Sequence, residues 1–248
     1  MNALLLFVAG VAGGLTGSVA GLASVATYPA LLAVGLPPVT ANVTNTVSLV
    51  FNGVGSVLGS RPELKGQGPW LRKVWPMAAI GGAAGAFLLL YTPAESFERA
   101  VPILLGGSAL AILLPRRPRS PEDKPRRRRQ VQILEAIAIL LIAIYGGYFG
   151  AAAGVLLLAV FLRAGGASLA HANASKNLLL GIANLVAAVV FAVLAPVAWA
   201  AVVPLGLGCL LGSRLGPVVV RHAPATPLRL LIGAAGLAVA IKIGLDTY

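Results

Sequence analysis

Residues 171–191 read H-A-N-A-S-K-N-L-L-L-G-I-A-N-L-V-A-A-V-V-F, an apolar helix that carries one lysine and three asparagines. At about 100° per residue, Asn173, Lys176, Asn177 and Asn184 fall within roughly a third of the helix circumference. An ammonium this far into an apolar run costs about 2.5–3.5 kcal/mol on insertion scales, so it requires compensation. No Asp or Glu lies in the segment. Lys176 therefore reads as a cation set beside amide donors, which is the chemistry of an anion site. The competing reading is a lysine near the helix start that snorkels to the lipid headgroups. It leaves the three asparagines unexplained.

Outward from this helix the chain stays apolar. Its 248 residues are 58% hydrophobic and 10% charged, and the mean hydropathy is +0.91. That composition predicts an all-α polytopic membrane protein. About eight hydrophobic blocks are expected, at 2–34, 38–59, 73–91, 97–114, 131–162, 168–195, 197–220 and 228–246. No Lys or Arg precedes Leu4, so a cleaved signal peptide is not expected. The single cysteine, Cys209, excludes an intrachain disulfide and a cysteine-based zinc site, and neither a metal nor a cofactor is expected. The net charge of +12 resides in basic loops, which mark a cytoplasmic side and do not point to nucleic acid.

The first block is too long for one span and is interrupted by G-G-L-T-G-S-V-A-G, residues 13–21, where glycines permit a break or close helix approach. Gly35 to Pro38 ends the block and starts the second helix. In that helix Asn45, Asn52 and Ser56 recur on one stripe. Amides facing lipid are costly unless paired, so the stripe faces the protein interior, as substrate contacts or as interhelical hydrogen bonds. Arg61 to Lys73 reads as a basic loop, and Gly81 to Gly85 in the next helix as a close-packing face.

The chain then repeats itself. G-G-Y-F-G-A-A-A-G, residues 146–154, echoes the first glycine-rich run, and A-N-A-S-K-N at 172–177 echoes A-N-V-T-N-T at 41–46. Three units follow: an N-terminal transmembrane repeat at 1–115, a basic Pro-rich cytoplasmic linker at 116–130, and a C-terminal transmembrane repeat at 131–248. The basic loops 60–73 and 115–130, with Arg163, Arg221 and Arg229, are expected on one side, and the turn near Glu95 on the other. The second-half charges fall where the first half has its external loops. The two halves are therefore expected to be inverted, each with an odd number of crossings. A Gly-broken first helix or hairpin in each half, at 2–34 and 131–164, supplies this count. A parallel four-plus-four arrangement is the alternative, since the second-half charges are few.

Together these residues resemble the sulfite exporter TauE/SafE family along essentially the whole chain. The most specific stretches are A-N-A-S-K-N-L-L-L-G-I-A-N-L and W-A-A-V-V-P-L-G-L-G-C-L-L-G-S-R-L-G. P-A-L-L-A-V-G-L-P-P-V-T-A-N-V-T-N-T and Y-G-G-Y-F-G-A-A-A-G support them. The resemblance implies a multi-pass permease of the bacterial inner membrane that moves sulfite, sulfoacetate or a related small anion. Two departures stand out: Leu22, Ala23 and Ser24 replace a tight run of glycines, and Thr46 stands where a basic residue often follows the T-N pair.

The expected function is a secondary transporter for a small sulfur oxyanion or organosulfonate. Lys176 would supply charge, and Thr44, Asn45, Asn52, Asn173, Asn177 and Asn184 hydrogen bonds. The glycine breaks would aim half-helix N-termini at the anion. Its partners are the anionic substrate and membrane lipid, with no nucleic acid; a homo-oligomer is compatible with the sequence. An anion channel would use the same residues. An intramembrane enzyme built on Ser18 and His171 lacks a nucleophile-elbow pattern and a third group to orient the histidine.

Overall fold

The computed structural model describes residues 2–113, 129–151, 153–164 and 168–222, with seven single positions between 230 and 245. Most of the linker and most of the block at 228–246 lie outside the described residues, as do Arg229 and the side chain of Arg163. The described residues form helices joined by turns, with no strand among them. They are α1 (Ala3–Ala20), α2 (Ala23–Ala33), α3 (Pro38–Gly59), α4 (Arg61–Leu64), α5 (Gly68–Tyr91), α6 (Ala94–Leu113), α7 (Arg129–Tyr148), α8 (Ala153–Ala164), α9 (Leu169–Leu194) and α10 (Trp199–His222). Four of these, α1, α5, α9 and α10, are long and apolar enough to cross a membrane. α3 is also 22 residues long but carries a run of Thr, Asn and Ser along its buried face.

Both long first blocks are broken. α1 ends at Gly21, whose φ of 80° is left-handed and whose N–H returns to Gly17 O at 2.7 Å, an αL helix stop. The chain then doubles back: Ala23 packs on Gly17, and Thr27 on Gly13. α7 ends the same way at Gly150, with φ 74°, and α8 follows.

Small residues set the helix pairings. α1 lies parallel to α10: Gly10 meets the backbone of Leu205 and Gly208, Gly14 that of Cys209 and Ser213, and Gly216 meets Ser18. α5 lies parallel to α7, with Gly81 against Leu140 and Ala143 and Gly85 against Ile144 and Tyr148. Without a hydrophobic drive between helices in lipid, such close backbone approach supplies the packing energy. α3 and α9 cross at Gly53 and Gly181, at the centre of these pairs. An aromatic cluster ties the second break to the rest. The Phe149 ring packs edge-on against Tyr28 at 5.4 Å and against Phe97 at 5.8 Å.

The basic stretch Arg61 to Lys73 is ordered as α4 and the first turns of α5. Arg221, at the end of α10, grips Glu63 with Nε at 2.6 Å and a second nitrogen at 2.9 Å, and also donates to Gly59 O. The hydrogen bond from Arg221 holds the Glu63 carboxyl below its ordinary value. Ser175 donates to Gln67 Oε1 at 2.6 Å, so the start of α9 sits at this same end. Arg221 and Lys65 thus share one end of the molecule, as the charge pattern requires.

Candidate functional site

A helix that stops inside the protein leaves its last carbonyls without partners. At the end of α1 these are met from α9. Lys176 Nζ donates to Gly17 O and Ser18 O, both at 3.1 Å, while Asn173 Nδ2 reaches Ser18 O at 3.0 Å and Asn177 Nδ2 reaches it at 3.2 Å. Positions i, i+3 and i+4 of one helix face converge on one turn of another. Lys176 is 0% exposed, so it does not snorkel. Its charge rests against the negative end of the α1 dipole, where a cation is stabilised. The sequence showed no carboxylate on its helix, and the compensation comes instead from main-chain carbonyls of the other half of the chain.

The second break is served reciprocally. Asn42 Nδ2 donates to Tyr148 O at 2.8 Å, at the end of α7. Sequence reasoning did not nominate Asn42, yet its place in A-N-V-T-N-T matches that of Asn173 in A-N-A-S-K-N, which was the available signal. Asn45 instead braces α2. Its Oδ1 accepts from Thr27 Oγ1 at 2.5 Å, and its Nδ2 donates to Ser24 Oγ at 3.0 Å. Thr44 Oγ1 accepts from Ala198 N at 3.0 Å, at the α9–α10 turn. It is thereby committed to a structural contact.

The two breaks meet face to face. Gly21 and Gly154 lie in backbone contact, and beside them opens a cavity of about 420 Å³ counting its mouth. Gly17, Gly21, Ala23 and Ser24 line it from the first break, and Gly146, Gly150 and Ala153 from the second. Asn52, Asn177 and Asn184 complete the polar wall. Three of the expected site residues therefore gather here, while Lys176 and Asn173 stand one layer behind, on the α1 carbonyls. Among the described residues, neither Lys nor Arg, and neither Asp nor Glu, lines the cavity.

Three features of this wall suit a ligand. Asn52 and Asn184 make no hydrogen bond among the described residues, and Asn52 Oδ1 is wholly buried. Ser18 O accepts from three donors although a carbonyl has two lone pairs, so Asn177, the longest of the three contacts, is the donor most easily re-aimed. α2 and α8 both begin at the cavity; Val25 N and Ala153 N are met by Leu22 O and Gly150 O, and the other first-turn N–H groups have no carbonyl of their own helices to reach. The enzyme alternative finds no support in the geometry. Ser18 Oγ is buried beside Gly216 without a partner among the described residues, whereas the exposed His171 ring contacts Ser168 Oγ at 2.7 Å.

A family model described as sulfite exporter TauE/SafE matches residues 4–243. A probable membrane transporter protein, YfcA, of Escherichia coli K12 is 28% identical over 99% of this chain and 90% of its own length. A probable membrane transporter protein, ORF9, of a Sinorhizobium species is 27% identical over 97% of the chain and 92% of its own length. A further probable membrane transporter protein, of Haemophilus influenzae, is 23% identical over 92% of the chain and 89% of its own length. No solved structure matches significantly.

Proposed function

This chain belongs to the sulfite exporter TauE/SafE family, and from that membership we propose that it is a secondary transporter for a small sulfur oxyanion or organosulfonate, such as sulfite or sulfoacetate. The relatives named as probable membrane transporters support the class. One observation carries the site: both helix breaks converge on a single cavity whose amides, Asn52 and Asn184, have no protein partner among the described residues. An oxyanion there accepts from these amides, from Asn177 and from the first turns of α2 and α8. The test is flux of labelled sulfite into proteoliposomes. Wild type should show saturable uptake and counterflow. Asn52→Ala and Asn184→Ala should each weaken apparent affinity by roughly tenfold or more, the worth of a hydrogen bond to a charged group. Flux without saturation or counterflow would make the protein a channel. Flux indifferent to both substitutions would move the site elsewhere.

The transporter reading carries an architecture with it: a multi-pass protein of the cell membrane with two inverted halves. Helix directions support this. α3 runs against α9, with Thr44 at Ala198 and Gly53 at Gly181. α5 runs with α9, with Gln67 at Ser175 and Gly82 at Ala183. Since α1 and α3 both run with α10, and α5 with α7, the equivalent helices α1 and α7 point in opposite directions. Single cysteines at Lys65 and Arg221 in the cysteine-free Cys209→Ser background should both resist an impermeant maleimide applied to intact cells, while one at Glu95 reacts. Labelling of Arg221 but not Lys65 from outside would overturn the arrangement.

A further inference from the structure

We infer that this cavity selects a singly charged oxyanion, hydrogen sulfite or a monosulfonate, over a dianion, so that a proton moved with sulfite travels on the substrate itself. The inference rests on the transport site just proposed and concerns its charge. The fixed positive potential at the cavity comes from two helix starts. α2 and α8, of 11 and 12 residues, both begin there, and each helix N-terminus carries about half an elementary charge. The ends of α1 and α7 lie there too, each about half a unit negative, and the Lys176 ammonium behind the wall offsets them, so the sum stays at about one positive unit. The Lys176 ammonium faces the Gly17 and Ser18 carbonyls, the negative end of α1, and is absent from the cavity wall. The described remainder of the wall is amide, hydroxyl and apolar.

A separate observation marks this as a ligand site. Asn184 is 8% exposed, lines the cavity and has no hydrogen-bond partner among the described residues. A buried amide left so is costly until a ligand completes it. A monoanion matches both the dipole charge and the free donors. A dianion would leave about one charge uncompensated in a half-open cavity, where the desolvation cost exceeds what neutral amides return. Among the described residues no carboxylate lines the wall to carry a proton alongside the anion, whereas hydrogen sulfite brings its own.

Purified wild-type protein should be titrated by thermal shift at constant ionic strength with methanesulfonate, a monoanion throughout, with sulfate, a dianion, and with sulfite across its second ionisation. Methanesulfonate should bind at least about tenfold more tightly than sulfate. Sulfite affinity should fall with rising pH in step with the hydrogen sulfite fraction, and Asn184→Ala should weaken every shift. If Asn184→Ala does not fold, Asn52→Ala locates the site instead. Sulfate binding as tightly as methanesulfonate, with both still dependent on these asparagines, would overturn the charge selection and leave the site standing. Anion binding indifferent to both asparagines would overturn the site, and the inference with it.

Discussion

Gly21→Ala should prevent the protein from reaching a stable fold, with little monodisperse protein recovered in detergent. Two independent costs meet at this residue. Its φ of 80° lies where an L side chain is strained, at roughly 1–2 kcal/mol. An added Cβ would also overlap Gly154 Cα, backbone that has no rotamer to give, and overpacking of this kind costs about 1–3 kcal/mol or more. The chain contains controls that separate the two. Gly35 has φ 88° and nothing within 4 Å of an added Cβ, so Gly35→Ala should show the strain alone. Gly154 meets Gly21 without a positive φ, so Gly154→Ala should show the clash alone. Yields of monodisperse protein, with melting temperatures of the variants that can be recovered, should rank Gly35→Ala as mildest and Gly21→Ala as most damaging. If Gly21→Ala is no worse than Gly35→Ala, the two breaks do not touch.

The glycines made this junction legible in the sequence, because a run such as G-G-L-T-G-S-V-A-G inside an apolar block has few uses besides a break or a close approach. The echo between 13–21 and 146–154 likewise pointed to two breaks. That the two meet each other was not legible, since nothing in either run names its partner. The amide stripes were read correctly as interior, and Asn52 and Asn184 line the cavity. Asn45 shares that stripe and Thr44 stands beside it, but they are committed to α2 and to Ala198 N respectively. Their partners are a backbone N–H and two hydroxyls some 20 or 150 residues away, groups with no pattern to detect. The Glu63–Arg221 clamp was hidden for the same reason: its charges stood in loops that the sequence treated separately.

The same blindness to carbonyls bears most on Lys176. As a direct anion contact, it would leave the folded protein nearly unchanged when replaced by Met, and only affinity would fall. Its geometry predicts a different result. Lys176→Met removes the charge that faces the end of α1 and the bonds to Gly17 O and Ser18 O. Each carbonyl keeps another donor, Gly21 N for the first and Asn173 and Asn177 for the second. The loss should therefore be moderate, about 1–3 kcal/mol, and part of it is offset by no longer burying an ammonium. Asn177 becomes the donor that Ser18 O cannot spare, so it no longer turns to the cavity, and anion affinity should fall roughly tenfold. The ligand-free melting temperature and the ligand-induced shift should thus decline together. Lys176→Arg should also destabilise, because a planar fork does not fit a space filled by a compact ammonium with no exposure. Asn173→Leu removes a second donor from Ser18 O, and combined with Lys176→Met it should cost more than the two single changes summed, since each change makes the other's remaining contact indispensable. Strict additivity would mean that the end of α1 does not depend on this cluster. An unchanged ligand-free stability with a lost shift would return Lys176 to direct contact with the anion.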